Sequence, residues 1–155
     1  MDALRLEIKQ KLELLEVLLG KKIEESFIGL MVMVIVTAAT LNENKSKLNE
    51  AYQLYKYLAL ETYGDAILDL FVCEMFFKEE VTQATMTIQR SKLVSNIRFQ
   101  EVGKSLLENI LVIRNYQEND KITFAKALER LIGAIHLAYG IDFTKDFIKQ
   151  HGILI

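Results

Sequence analysis

The stretch from Tyr57 to Phe71, YLALETYGDAILDLF, constrains the fold more than any other part of this chain. Its composition predicts a helix that is apolar on almost every side, and such a helix must be surrounded by the rest of the protein. Glu61 and Asp65 lie four residues apart, so both carboxylates leave the same helix face. Two acidic groups on a mostly buried helix are costly without a positive partner. The sequence therefore predicts either a metal ion or a basic side chain beside them.

A second helix is predicted from Thr123 to Tyr139, TFAKALERLIGAIHLAY, and Gly140 is expected to end it. Within it Lys126 and Glu129 are three residues apart and share one face. We expect the functional chemistry of the chain to lie where these two helices meet.

Composition limits the fold class to a helical one. The 155 residues are 51% apolar, contain no proline and have only 7 glycines, which suits long helices joined by polar turns. The length is that of one domain. We predict a single all-α domain over residues 1–155 with two largely buried central helices.

Hydrophobic periodicity places the individual elements. No strand alternation is sustained in the sequence. Loops are predicted at residues 42–47, 78–83 and 111–121. Helices are predicted at residues 3–19, 24–40, 48–77 with an interruption near Gly64, 84–96, 97–107 and 123–139, followed by a short last helix that ends near residue 150.

Charge and cysteine content exclude several classes of protein. The net charge of -2 gives no overall field that favours nucleic acid or an anionic membrane, although a local basic groove stays open. The single cysteine, Cys73, excludes an intramolecular disulfide framework and a cysteine-cluster zinc site. The N-terminus has no signal-peptide pattern, and the apolar run from Phe27 to Leu41 is shorter than the roughly 18 residues of a membrane span. We expect an intracellular, cytoplasmic protein that does not enter a membrane.

Three sequence blocks resemble a known family. Residues 60–68, LETYGDAIL, resemble the signature helix of the ribonuclease III catalytic domain, which has a Leu-Glu-Phe-Leu-Gly-Asp-Ala-Val-Leu type sequence. Residues 90–96, RSKLVSN, are similar to its Arg-x-x-Leu-Val-Ser-Asn segment. Residues 125–137, AKALERLIGAIHL, resemble its last signature helix, Ala-Asp-Ala-Phe-Glu-Ala-Leu-Ile-Gly-Ala-Ile-Tyr-Leu. The blocks occur in the family's order and at matching spacing.

The resemblance implies an all-α, dimer-forming domain that cleaves double-stranded RNA with Mg²⁺. In the family, four carboxylates on two helices hold the metal, because acidic oxygens are the ligands that Mg²⁺ prefers. The metal activates a water and stabilises charge on the phosphate under attack. Glu61, Asp65 and Glu129 match three of these positions and are the expected catalytic and metal-binding residues of an active site. Lys126 stands where the family has the fourth, an aspartate.

The lysine predicts that metal-dependent cleavage is lost or impaired. A charge pair at 4 Å and an effective dielectric of about 20 is worth roughly 4 kcal/mol, so the ammonium group competes with Mg²⁺ for the same oxygens. Neighbouring carboxylates keep that group protonated and prevent it from acting as a ligand. We therefore expect Glu61, Asp65 and Glu129 to form a buried ion-pair network with Lys126 in a domain that keeps a role in RNA binding or processing, or as a structural partner.

The same residues also allow other interpretations. The chain is alternatively an active magnesium-dependent endonuclease that uses Glu61, Asp65 and Glu129, or an all-α interaction module with no role on RNA. Arg90 and Lys92 are either contacts for RNA phosphates or part of a solvated helix face.

The resemblance also implies partners. It predicts a homodimer, or a heterodimer with a related chain that supplies the active site. Thr62 stands where bacterial members carry an aromatic residue that packs into the partner subunit, so the usual dimer contact is altered. Because the chain ends at Ile155, we expect no separate double-stranded-RNA-binding domain.

Overall fold

The computed structural model describes residues 3–37, 40, 54–77, 82–113 and 120–154, and this part of the chain is built from helices. It contains no strand, only an isolated pairing of Val36 with Val112, so the all-α class is confirmed. The helices are α1 (Ala3–Leu19), α2 (Ile28–Ile35), α3 (Leu54–Phe77), α4 (Gln83–Leu93), α5 (Asn96–Leu107) and α6 (Asp120–Gln150), with a 3₁₀ turn at Glu25–Phe27 before α2.

The first helix has the predicted limits. Its apolar stripe buries Leu4, Ile8, Leu15 and Leu19 on one side, the pattern of a helix packed along one face. Gly20 follows with φ of 70°, a conformation that glycine adopts without steric cost.

The second helix is shorter than the sequence predicted, and the prediction of residues 24–40 is wrong at both ends. The 3₁₀ turn precedes it, and it ends at Ile35 because Val36 is extended, with φ of -95° and ψ of 132°. The backbone N–H of Val112 donates to the carbonyl of Ile35 at 2.8 Å. A long-range partner therefore ends a helix that its own apolar run would have continued.

The central helix α3 runs through Gly64 without interruption, contrary to the sequence prediction. Gly64 is buried, and a Cβ atom there would lie 1.7 Å from the backbone oxygen of Glu129. The glycine thus allows α6 to approach α3 closely and does not break the helix. The predicted loop at residues 42–47 and the predicted helical segment at 48–53 lie outside the described residues.

Side-chain caps set the starts of α4 and α5. The Thr82 hydroxyl accepts from the backbone N–H of Thr85 at 3.2 Å, and the Ser95 hydroxyl accepts from the backbone N–H of Arg98 at 3.2 Å. Such caps satisfy N–H groups that the first helical turn leaves unpaired. Because Ser95 is a cap, α4 ends at Leu93 and the predicted helix at residues 84–96 is too long.

The last helical region is divided at Gly140, as predicted. Gly140 has φ of 87° and ψ of -178°, which is not helical, and the chain then resumes a helix that reaches Gln150. The Thr144 hydroxyl donates to the Gly140 carbonyl at 2.7 Å and so supports the kink. Residues 114–119 of the predicted connection before α6 lie outside the described residues.

The core is centred on α6, which packs against α3, α5 and α2. From residue 124 to residue 135 every position of α6 except Lys126 is buried. Helix α3 is buried along one side, whereas Leu58 and Leu70, which lie away from that side, are about half exposed. Among the described residues, no helix combines the length and the apolar character needed to cross a membrane.

Candidate functional site

The carboxylates predicted on α3 lie where that helix crosses α6. Besides Gly64, a second glycine makes this crossing close, since a Cβ atom on Gly133 would lie 2.8 Å from the carbonyl oxygen of Leu60. Glycine on both helices allows the two backbones to approach more closely than side chains would permit. The crossing therefore brings Glu61 and Asp65 of α3 towards the first turns of α6, where Lys126 and Glu129 lie.

Glu61 is paired with a basic residue that the carboxylate pattern did not predict. Nη1 of Arg130 donates to Oε1 of Glu61 at 2.8 Å. The side chain of Arg130 is 2% exposed and that of Glu61 is 14% exposed. A charge-assisted hydrogen bond of this length between groups shielded from water is strong, and breaking it would leave an uncompensated buried charge.

Arg130 has further partners that hold its guanidinium in place. Nε donates to the carbonyl of Met33 at 2.9 Å and Nη2 donates to the carbonyl of Val34 at 3.3 Å. The guanidinium carbon lies 4.1 Å from the centre of the Tyr57 ring, within the range of a cation–π contact. One side chain of α6 therefore contacts the end of α2 and two residues of α3.

Glu129 is paired with Lys126, but more loosely. Nζ of Lys126 lies 3.4 Å from Oε2 of Glu129, and the lysine side chain is 39% exposed whereas the glutamate side chain is 5% exposed. Burial raises the pKa of Glu129 to about 7, although Lys126 opposes the shift and the charge of Asp65 adds to it. Glu129 consequently exchanges its proton near neutral pH.

Asp65 is the carboxylate that faces solvent. It is exposed, and within the described residues it forms no ion pair. Its charge contributes to raising the pKa of Glu129 and, on the other side, that of Arg90. Asp65 thus lies between the buried glutamates and the basic end of α4.

The donor set at this crossing does not fit a magnesium ion. Mg²⁺ requires several oxygen ligands at nearly octahedral positions, but Glu61 is bound to Arg130 and Glu129 faces an ammonium group. In the described parts of the chain, no three histidine, cysteine, aspartate or glutamate side chains are grouped so that they would hold a metal ion. Arg130 and Lys126 are therefore the counter-ions of these two carboxylates, in the role that a metal ion would have.

The two residues predicted to contact RNA differ in their surroundings. Arg90 is held by Asp69, whose Oδ1 accepts from Nε at 2.5 Å, and this hydrogen bond raises the pKa of Arg90. Lys92 is exposed on the same helix. Both lie in the last turn of α4, where basic groups are favourable because of the helix dipole.

A tyrosine–histidine pair lies beside the carboxylates and was not singled out from the sequence as functional. The Tyr63 hydroxyl is 2.7 Å from Nδ1 of His136, and the ring centres are 5.6 Å apart. Tyr63 belongs to α3 and His136 to α6, so this hydrogen bond connects the same two helices.

Arg130 is the site residue that sequence reasoning missed. The last signature block, AKALERLIGAIHL, has this arginine where the family pattern quoted above has alanine, and that difference was the available signal. Its meaning depends on Glu61, which is 69 residues away in the chain. Pattern alone does not show that the side chain turns inwards.

Comparisons with known proteins agree on one family. The family model described as "Ribonuclease III domain" matches residues 58–140, which include the carboxylates and all of α4 and α5. A Ribonuclease 3 from Ehrlichia ruminantium (strain Gardel) is 34% identical over 119 residues, 70% of this chain and 52% of that protein. A Ribonuclease 3 from Clostridium acetobutylicum is 30% identical over 154 residues, 94% of this chain and 63% of that protein.

A solved structure supports the same fold. The crystal structure of the nuclease domain of ribonuclease III from Campylobacter jejuni superimposes with a TM-score of 0.63 and 26% identity, covering 90% of this chain and 91% of that one. The chain spans about half the length of the Ehrlichia relative. The similarity therefore concerns a nuclease domain and leaves the rest of those relatives unmatched.

Proposed function

Because the chain belongs to the Ribonuclease III domain family, we propose that it is a double-stranded-RNA-associated domain in which metal-dependent cleavage is lost or impaired. One observation carries the proposal: Glu61 and Glu129, two of its three matching carboxylates, each have a cationic partner from the same chain. The chain would then act in RNA binding or processing, or as a structural partner of another protein.

The physical argument concerns competition for carboxylate oxygens. A bound Mg²⁺ would supply the charge that activates a water and stabilises the phosphate. Here Arg130 and Lys126 already neutralise the oxygens it would need. Burial also raises the pKa of Glu129 to about 7, and a protonated carboxyl group is a poor ligand for a hard cation. These features favour a site that is stable without metal.

RNA association is proposed for the basic end of α4. Lys92 is exposed and free to approach a phosphate, and Arg90 keeps half of its side chain accessible despite its bond to Asp69. Contacts of this kind position a nucleic acid without reading its sequence. We propose double-stranded RNA as the ligand, and a second copy or a related chain as the partner.

An active endonuclease is the second candidate, and one observation favours it. Asp65 is exposed, and Lys126 has 39% of its side chain exposed and, among the described residues, forms one ion pair, with Glu129 at 3.4 Å. A lysine held so loosely can turn towards solvent. In that case Glu61, Asp65 and Glu129 would bind the metal with fewer ligands than the family pattern provides.

A cleavage assay decides between the two. Labelled duplex RNA is incubated with the purified chain in Mg²⁺ and in Mn²⁺, and the nuclease domain of the Campylobacter jejuni enzyme serves as positive control. We expect no product from this chain under conditions in which the control cuts. Cleavage that disappears in Glu129→Gln would overturn the proposal and support the active endonuclease.

A binding assay tests the RNA role separately from cleavage. We expect a complex with duplex RNA whose affinity falls as salt increases, because each phosphate contact releases a counter-ion. Lys92→Ala should reduce the slope of log affinity against log salt by about 1, whereas Lys9→Ala, exposed on α1, should not. A chain that forms no complex at low salt is better explained as an interaction module.

A further inference from the structure

Arg130 differs from Lys126 in how firmly it occupies the site. Its guanidinium is 2% exposed and donates three hydrogen bonds, to Glu61, Met33 and Val34, at 2.8–3.3 Å. In the described part of the chain, the ion pair of Lys126 is with Glu129 at 3.4 Å, and the lysine side chain is 39% exposed. The arginine is therefore a fixed part of the interior, whereas the lysine can move into solvent at little cost.

The backbone carbonyl groups at the end of α2 hold the Arg130 side chain in the site. The last carbonyls of a helix have no partner within it. In α2 the Met33 and Val34 carbonyls are bound by Arg130, and the next, of Ile35, is bound by the backbone of Val112. If Arg130 turned away, two buried carbonyl groups would lose their donors, each at a cost comparable to a lost hydrogen bond.

The chemistry of the guanidinium group also keeps Arg130 paired with Glu61. Arginine stays protonated in proteins and presents its donors in a rigid plane. A metal ion that approaches Glu61 would have to displace a buried cation that cannot become neutral. Glu61 consequently keeps its partner whatever residue occupies position 126.

From these contacts we infer that Arg130, rather than Lys126, is the residue that excludes a divalent metal from this site. Arg130 acts as an internal counter-ion for Glu61 and, through the α2 carbonyls, fixes that carboxylate away from a metal-binding arrangement. The inference rests on the proposed function and makes it more specific. Restoring the missing acid at position 126 does not restore the metal site, because the charge that matters lies one turn further along α6.

Metal binding by four forms of the chain tests this inference: the unmodified chain, Lys126→Asp, Arg130→Ala, and the double variant. Mn²⁺ affinity is measured by electron paramagnetic resonance and by the shift in Tm that the metal causes. We expect the unmodified chain and Lys126→Asp to bind equally weakly, and the double variant to bind at least about tenfold more tightly than Lys126→Asp. Glu61→Gln in the double variant should abolish the gain.

The Tm measurement also tests the inference when a variant folds poorly. If loss of Arg130 unfolds the double variant without metal, Mn²⁺ should restore its folding, because a metal that binds only the folded state stabilises it. Lys126→Asp should show no such response. A double variant that stays unfolded in Mn²⁺, or that is folded and binds no better than Lys126→Asp, would overturn the inference.

The remaining outcomes separate the inference from the proposed function. Tight Mn²⁺ binding by the single variant Lys126→Asp would show that the lysine is the only obstacle to metal binding. That result would contradict the role of Arg130 and leave the proposed function intact. Tight Mn²⁺ binding by the unmodified chain, together with cleavage of duplex RNA, would remove the proposed function itself.

Discussion

At the scale of single residues, Glu61 and Glu129 show that similar carboxylates acquire different properties from their partners. Glu61 forms an ion pair with a buried arginine at 2.8 Å. Glu129 is the more buried side chain of the two but has only a half-exposed lysine beside it, and burial raises its pKa to about 7. For Glu129 the effect of burial exceeds that of the nearby lysine, which opposes the shift.

The raised pKa of Glu129 predicts how stability depends on pH. Between the unfolded value of about 4.3 and about 7, the folded protein holds more protons at this position than the unfolded chain does. The contribution of Glu129 to the free energy of unfolding therefore falls as pH rises through this window and is constant above it. In urea denaturation from pH 5 to pH 8, the free energy of unfolding of Glu129→Gln should lack this fall, which amounts to about 1–3 kcal/mol.

Comparison with the unmodified chain isolates this effect. Burial lowers the pKa of His151, which gives an opposite slope that both proteins share and that cancels in the difference. Glu101→Gln, an exposed position on α5, is the matched control and should follow the unmodified chain. The prediction fails if the difference between Glu129→Gln and the unmodified chain is independent of pH.

At the scale of elements, the crossing of α3 and α6 makes the site possible. Gly64 and Gly133 each lie against the backbone of the opposite helix. Backbone atoms this close cannot move apart without shifting a whole helix, unlike the flexible end of a side chain. This contact sets the positions of Glu61 and Asp65, which lie on either side of Gly64 in the sequence.

Gly64→Ala should therefore destabilise the fold. Its Cβ would lie 1.7 Å from the Glu129 carbonyl oxygen, so the helices must separate. Alanine favours the helix itself by about 1 kcal/mol, but overpacking typically costs 1–3 kcal/mol and occasionally more. Because the overlap is with backbone atoms, we expect a cost at the upper end of that range or above it, and so a net loss of about 2 kcal/mol or more in the free energy of unfolding, measured by guanidinium denaturation.

The neighbouring Thr62 supplies the control for this prediction. Its side chain is exposed on the same helix, and Thr62→Ala should change the free energy of unfolding by no more than about 0.5 kcal/mol. If Gly64→Ala is as stable as Thr62→Ala, the helices do not approach as closely at Gly64 as described.

At the scale of the whole molecule, the exposed side of α3 is a candidate surface for a partner. Leu58 and Leu70 are 50% and 49% exposed there, on the helix that also carries Glu61 and Asp65. Exposed apolar side chains can contribute to an interaction site on a soluble domain. The proposal of a dimer, which the family resemblance implies, places the association on this side of the molecule.

Self-association through α3 can be measured directly. We expect sedimentation equilibrium to show a dimer, and Leu70→Glu to weaken it about tenfold or more, because a charge would be buried in an apolar contact. Leu14→Glu, at a leucine 44% exposed on α1, should leave the dimer unchanged. A chain that is monomeric at about 100 μM, well above the micromolar Kd of a typical specific contact, would contradict the prediction, as would equal effects of the two variants.

Local patterns account for what the sequence could predict. The stripe of leucines in residues 3–19 and the glycine that follows define α1 with the correct limits. Gly140 was expected to end a helix and does so. The four-residue spacing of Glu61 and Asp65 places both on one face of α3 whatever surrounds it. Helical periodicity and glycine conformation depend on residues within a few positions of each other, so these features can be predicted from the sequence.

The tertiary structure alone decided the end of α2 and the partner of Glu61. Helix α2 ends at Ile35 because Val112, 77 positions later in the chain, supplies a backbone donor. Arg130 reaches Glu61 because two glycines let α3 and α6 cross closely. The free energy of a buried charge depends on which groups packing brings within a few ångströms, and that distance is set by the fold, not by neighbours in the sequence.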